Sequence, residues 1–146
     1  MDTLFQISSI SEVIQLAVAP VFLLAGISGT LMVMSSRLGR IIDRGRYLKE
    51  KRPEAEGDYL QEIREELKCL NTRASYTNWA ISMATFCALL VCLVIVFLFI
   101  GAVHDIDMTT VVAILFVLAM LCLSSAFILF LKEITLSTSA FKFSED

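Results

Sequence analysis

Charge is scarce in this sequence. Only 18% of its 146 residues are Asp, Glu, Lys or Arg, whereas 57% are hydrophobic; an ordinary soluble domain is about 25% charged. That balance excludes a disordered tail and a basic nucleic-acid binder. A small disulfide scaffold is excluded too. Of the four cysteines, Cys87, Cys92 and Cys122 sit in long apolar runs and Cys69 in a charged stretch, so no paired framework suggests itself. A reduced cysteine in an apolar helix behaves as a small hydrophobe. The composition points to a chain whose solvent is partly lipid.

Three runs lack any charged side chain: residues 13–34, 80–101 and 109–131. At 1.5 Å per residue a helix needs about 20 residues to cross a hydrocarbon core ~30 Å thick, so each run is long enough. Lipid leaves backbone polar groups unsatisfied, and the unbroken apolar character is not the alternation of barrel strands. The sequence therefore predicts an all-α integral membrane protein: one membrane domain over 1–146 with three transmembrane helices. Nothing basic precedes the first run, which exceeds the core of a signal peptide, so it is expected to remain as a span.

The basic residues are confined to two segments. Ten of the twelve lie between the first two runs, and Lys132 and Lys142 follow the third. Three crossings place both segments on one side, which the positive-inside rule makes the cytoplasm. The N-terminus, with Asp2 and Glu12, and the connection 102–108, with Asp105 and Asp107, then face outward.

Residues 35–78 have a pattern of their own. Leu38, Ile41, Ile42 and Leu48 extend the first span at helical spacing until Pro53 stops it. After Gly57, the positions Leu60, Ile63, Leu67, Leu70 and Ala74 follow a heptad seam that continues through Thr77, Ile81, Ala84 and Ala88 into the second span. A cytoplasmic antiparallel helical hairpin extending spans 1 and 2 is the expectation. Opposite charge supports it: 35–52 carries seven basic and two acidic residues, 53–75 three basic and six acidic. A turn near residue 55 places Arg44 level with Glu66, and Arg46 near Glu65 or Glu62. Arg37, Arg40 and Arg73 crowd at the membrane end without enough acidic partners.

The stretches IQLAVAPVFLLAGISGTLMVMSSRLGRIIDRGRYL (14–48), VCLVIVFLFIGAV (91–103) and ILFVLAMLCLSSAFILFLKEI (114–134) resemble a bacterial family of small three-span membrane proteins, domain of unknown function 2721. The R-L-x-R-I-I-D-R-x-R core (37–46) is the most specific part of the resemblance, which runs over about 12–134. It implies a bacterial inner-membrane location and supplies no catalytic residue.

Absences bear on chemistry as well. With no Asp, Glu, Lys, Arg or His inside the spans, proton relays and coupled transport are disfavoured. There is no glycine-rich phosphate loop, no H-E-x-x-H and no haem-attachment motif. Ser124-Ser125 lack a base and are expected to bond carbonyls one turn back. His104-Asp105-x-Asp107 has metal-ligand types but no distant partner, so a hydrated turn is expected. No catalytic, cofactor-binding or metal site is predicted, and no enzyme.

Two features remain as candidate sites. Arg37, Arg40, Arg44 and Arg73 form a basic collar suited to anionic lipid or a protein partner; the plainer reading is a topology anchor with Arg–Asp pairs along one helix. Ser11, Gln15, Phe22, Gly29, Ser36, Arg40, Asp43 and Tyr47 fall near one face of the first helix. In a homo-oligomer that stripe lines a pore; in a single chain it packs against the other spans. Pro20, Gly26 and Gly29 are expected to serve close helix packing rather than a hinge. An oligomeric interaction module leads, and an oligomeric pore lined by the first span is the alternative.

Overall fold

A computed structural model describes the backbone of residues 2–104 and 106–142, and the side chains of 12–53, 55–104 and 106–137. Three helices account for nearly all of it: α1 (Asp2–Lys51), α2 (Gly57–His104) and α3 (Thr109–Lys142), with a short 3-10 turn, Arg52–Glu54, after α1. Each contains a stretch long and apolar enough to cross a membrane, as a multi-pass membrane protein requires. In no such stretch is more than 22% of the residues buried within the chain. Many of the others are exposed, with Phe22 at 73% and Met32 at 78%. Water penalises such faces heavily, whereas lipid does not.

The helices overrun their apolar runs. At 50 residues, α1 measures about 75 Å against ~30 Å of hydrocarbon. α3 does not stop at Leu131, where its charge-free run ends, but continues to Lys142. The chain breaks where the backbone demands it. Pro53 interrupts α1, and Gly57 begins α2 at φ +61°, a conformation that a side chain with a Cβ resists. At the other end of α2, Ile106 N–H donates to the Gly101 carbonyl at 3.1 Å. A Cβ on Gly101 would stand 3.2 Å from the Ile106 carbonyl oxygen, so this turn favours glycine. Asp107 Oδ1 accepts from the Thr109 N–H at 3.0 Å and caps the start of α3; the Thr109 side chain first, and then its backbone N–H, hold the Asp107 carboxyl below its ordinary range.

The helices contribute segments to two compact units. The first takes α1 up to Thr30 together with Met83–Ser124. Its core is Ala17, Pro20 and Ile27 from α1, Ala84, Cys87, Leu90, Val91 and Val94 from α2, and Ala119 from α3. Small residues at 84, 87 and 119 are fully buried, which lets backbones approach where no hydrophobic force drives them together. The second unit takes Leu31–Ser82 and the chain from Ser125 onward. Ile41, Leu48, Ala55, Ile63 and Leu70 form one cluster there, with Leu60, Leu67 and Ala74 packed against it. Those are the heptad positions anticipated in 57–74. Ile42, anticipated with them, is instead 47% exposed.

Burial recurs every seven residues along each helix: 20, 27, 34, 41 and 48 in α1; 63, 70, 77, 84 and 91 in α2; 119, 126 and 133 in α3. One position in this series is charged.

Candidate functional site

Glu133 is that position. Its side chain is completely buried, and an isolated carboxylate in such a place costs several kcal/mol. Two arginines compensate it. Arg73 donates from Nε and Nη2 to Oε1, at 3.2 and 2.9 Å. Arg37 Nη2 stands 3.1 Å from Oε2, an ion-pair contact that lies off the line of a hydrogen bond. The Arg37 guanidinium also covers the Phe130 ring, 5.2 Å from its centroid. One carboxylate from α3 thus holds a guanidinium from α1 and another from α2. The expected shortage of acidic partners at Arg37 and Arg73 is overturned, because α3 continues past its apolar run and brings Glu133 back to them.

Two helical turns on from Arg37, Arg44 makes the anticipated pair with Glu66: Nε to Oε1 at 2.8 Å and Nη2 to Oε2 at 3.2 Å. This fork-to-fork contact holds the Arg44 guanidinium above its ordinary pKa. Arg44 and Lys51 also lie over the Tyr47 ring, at 5.6 and 4.9 Å. The Arg–Asp pairs expected along α1 are not formed: Arg44 reaches across to α2, where a bidentate acceptor is available. Nor does Arg46 reach Glu65, whose Oε1 accepts from Gln61 Nε2 at 2.9 Å. Arg46 lines a separate cleft with Gly45, Lys49 and Asn71.

Arg40 differs from its neighbours. It is exposed, and its one bond is a long contact from Nη1 to Ser36 Oγ at 3.4 Å. Among the described residues no carboxylate lies within ion-pair distance of it. Arg37, Arg40, Arg44 and Arg73 line one cleft of about 380 Å³, together with Glu66 and Ser137. All four collar arginines are therefore brought together, and three of them are held by carboxylates.

The polar stripe behaves differently from a seam inside one chain. Gln15, Phe22, Gly29, Ser36, Arg40, Asp43 and Tyr47 are all exposed, while Ser11 lies outside the described side chains. A Cβ on Gly26 or Gly29 would meet nothing within 4 Å. Among the described residues of the chain the expected close packing at these glycines is not formed, because the buried face of α1 runs through 20, 27 and 34 and turns both glycines away. The serines are simpler: Ser124 Oγ donates to the Met120 carbonyl one turn back at 2.9 Å. His104 and Asp107 are exposed, and Asp105 lies outside the described residues.

Sequence reasoning missed Glu133. A signal was present: it stands seven residues after Ala126 and fourteen after Ala119, in the phase of small residues that marks the buried face of α3.

The family described as Protein of unknown function (DUF2721) matches residues 17–143. Neither a curated protein nor a solved structure matches the chain.

Proposed function

We infer that this chain, which belongs to the DUF2721 family of proteins of unknown function, is a bacterial inner-membrane interaction module rather than an enzyme. In this reading the N-terminus is outside and the ends of α1 and α2 project into the cytoplasm as an antiparallel hairpin. The basic collar at its membrane end engages anionic lipid. The observation that carries the reading is Arg40: an exposed guanidinium with no carboxylate in ion-pair distance among the described residues, beside three arginines that are fixed in place. Exposed apolar side chains stand next to the collar in sequence, Met32 and Val33 before Arg37 and Trp79 after Arg73, as expected where a helix leaves the hydrocarbon. Each juxtamembrane basic residue attracts an anionic surface by about 1 kcal/mol.

Trp79 supplies the test, being the only tryptophan and 59% exposed. It lies six residues after Arg73, about 9 Å along α2. With the full chain reconstituted in bilayers, a brominated anionic lipid should quench Trp79 more than a brominated zwitterionic one at equal mole fraction. The preference should shrink as salt rises. Equal quenching at low salt would remove the lipid reading and leave the collar as a topology anchor or a protein-docking surface.

The exposed stripe on α1 supports self-association. Gly26 and Gly29 leave room for the backbone of a second copy, and Gln15 and Ser36 offer polar groups to it. The same exposure favours a second reading, in which several copies turn the stripe to a water path and form a pore. Conductance of reconstituted oligomers in planar bilayers separates the two.

A further inference from the structure

We propose that the cleft holding Arg37, Arg40, Arg44 and Arg73 is a discrete binding site for the phosphate group of an anionic lipid, with Arg40 as its primary contact. The inference rests on the collar reading above and narrows it from a diffuse positive surface to one place on the molecule.

Three features make the cleft a site rather than a patch. Its charge is unbalanced: among the described residues four guanidiniums line it against the single carboxylate of Glu66, and Glu133, buried behind Arg37 and Arg73, still leaves a surplus of two positive charges. Its frame is fixed. Glu133 holds Arg73 through two hydrogen bonds and Arg37 through an ion pair, and Glu66 holds Arg44 through two more, so three long side chains have already lost their freedom before a ligand arrives. Each guanidinium presents five N–H donors, and these contacts occupy only some of them. Its fourth arginine, Arg40, is exposed and belongs to no ion pair among the described residues. Arg40 gives up only a 3.4 Å contact to Ser36 on turning toward an anion, and Ser137 is part of the lining. Planar guanidinium forks match the tetrahedral oxygens of phosphate better than a point charge does.

A lipid is the favoured source of that phosphate. α1 carries no charged residue from Val13 through Ser36, and Met32 and Val33, five and four residues before Arg37, are 78% and 55% exposed. A lipid with its headgroup at Arg40 would lay its chains along these side chains. Soluble phosphate gains nothing from them.

The test compares two single charges on one helix. Arg40→Gln removes a guanidinium from the cleft, whereas Arg46→Gln removes one from the separate cleft with Lys49 and Asn71. Neither residue belongs to the Glu133 or Glu66 ion pairs, so both variants should fold; helical content and elution volume check this. Trp79 quenching in bilayers with brominated phosphatidylglycerol and brominated phosphatidylcholine gives a preference ratio for each protein. The expected result is that Arg40→Gln lowers the ratio about fivefold, the equivalent of one basic contact, and Arg46→Gln less than twofold. Equal losses would overturn the site while leaving the diffuse collar standing. No preference in the unmodified protein would overturn the collar and the site together. Inorganic phosphate at about 10 mM and constant ionic strength distinguishes the source. It should leave the ratio unchanged, and abolition of the ratio would assign the cleft to soluble phosphate instead of lipid.

Discussion

Glu133 is the one charged side chain that is fully buried among the described residues. Removing one partner of a buried ion pair costs about 3–5 kcal/mol, because the remaining charge stays where water cannot reach it. Here the guanidiniums keep some water, with side-chain exposures of 26% for Arg37 and 19% for Arg73, so the lower end applies. Glu133→Gln should lower the stability of the purified protein in mild detergent by about 3 kcal/mol, read from thermal unfolding. The two arginines should not weigh equally. Arg73→Gln removes two hydrogen bonds to Oε1, whereas Arg37→Gln removes one off-line ion-pair contact and a cover over Phe130. Arg73→Gln should therefore be the more damaging of the pair. Equal effects would show that Coulomb attraction alone, not directional bonding, holds the carboxylate. Arg44 and Glu66 are both well exposed, and their pair contributes less despite its better geometry.

At the scale of helices, sequence pattern and packing agree where a seam is apolar on one side and charged on the other. Leu60, Ile63, Leu67, Leu70 and Ala74 announce a buried face by spacing alone, and Pro53 and Gly57 announce the break between α1 and α2. Replacing Ile63 with Asp should open this region to protease, since Ile63 is only 2% exposed, while Asp at exposed Ile42 should not. Equal resistance of both variants would place the seam outside the folded contact. The end of α3 was not legible in the same way. An apolar run is bounded by its first charge, but a helix is bounded by its hydrogen bonds, and those continue through Lys132 and Glu133. Periodicity also groups Gln15, Gly29 and Ser36 on one face without saying what lies opposite. Their exposure follows from the buried line 20, 27, 34, which only the packed helices reveal. Arg46 illustrates the same limit at closer range: level with Glu65 by counting, it loses that partner to Gln61.

For the whole molecule, three helices able to cross a membrane and a strictly one-sided distribution of Lys and Arg support a single orientation. In the proposed orientation the basic end, the Glu133 ion pairs and the arginine cleft would face the cytoplasm together, on the side where the proposed anionic lipid is found. The proposed lipid contact requires that placement. Cys69 reports on it, because it is the one cysteine outside the apolar runs and is half-exposed beside Lys68 and Arg73. The decisive measurement is labelling of Cys69 with a membrane-impermeant maleimide, with Cys69→Ser as the control for specificity. Cys69 should stay unmodified in intact cells and become modified in inverted membrane vesicles; modification in intact cells, with the vesicles protected, would contradict the orientation and the functional account built on it.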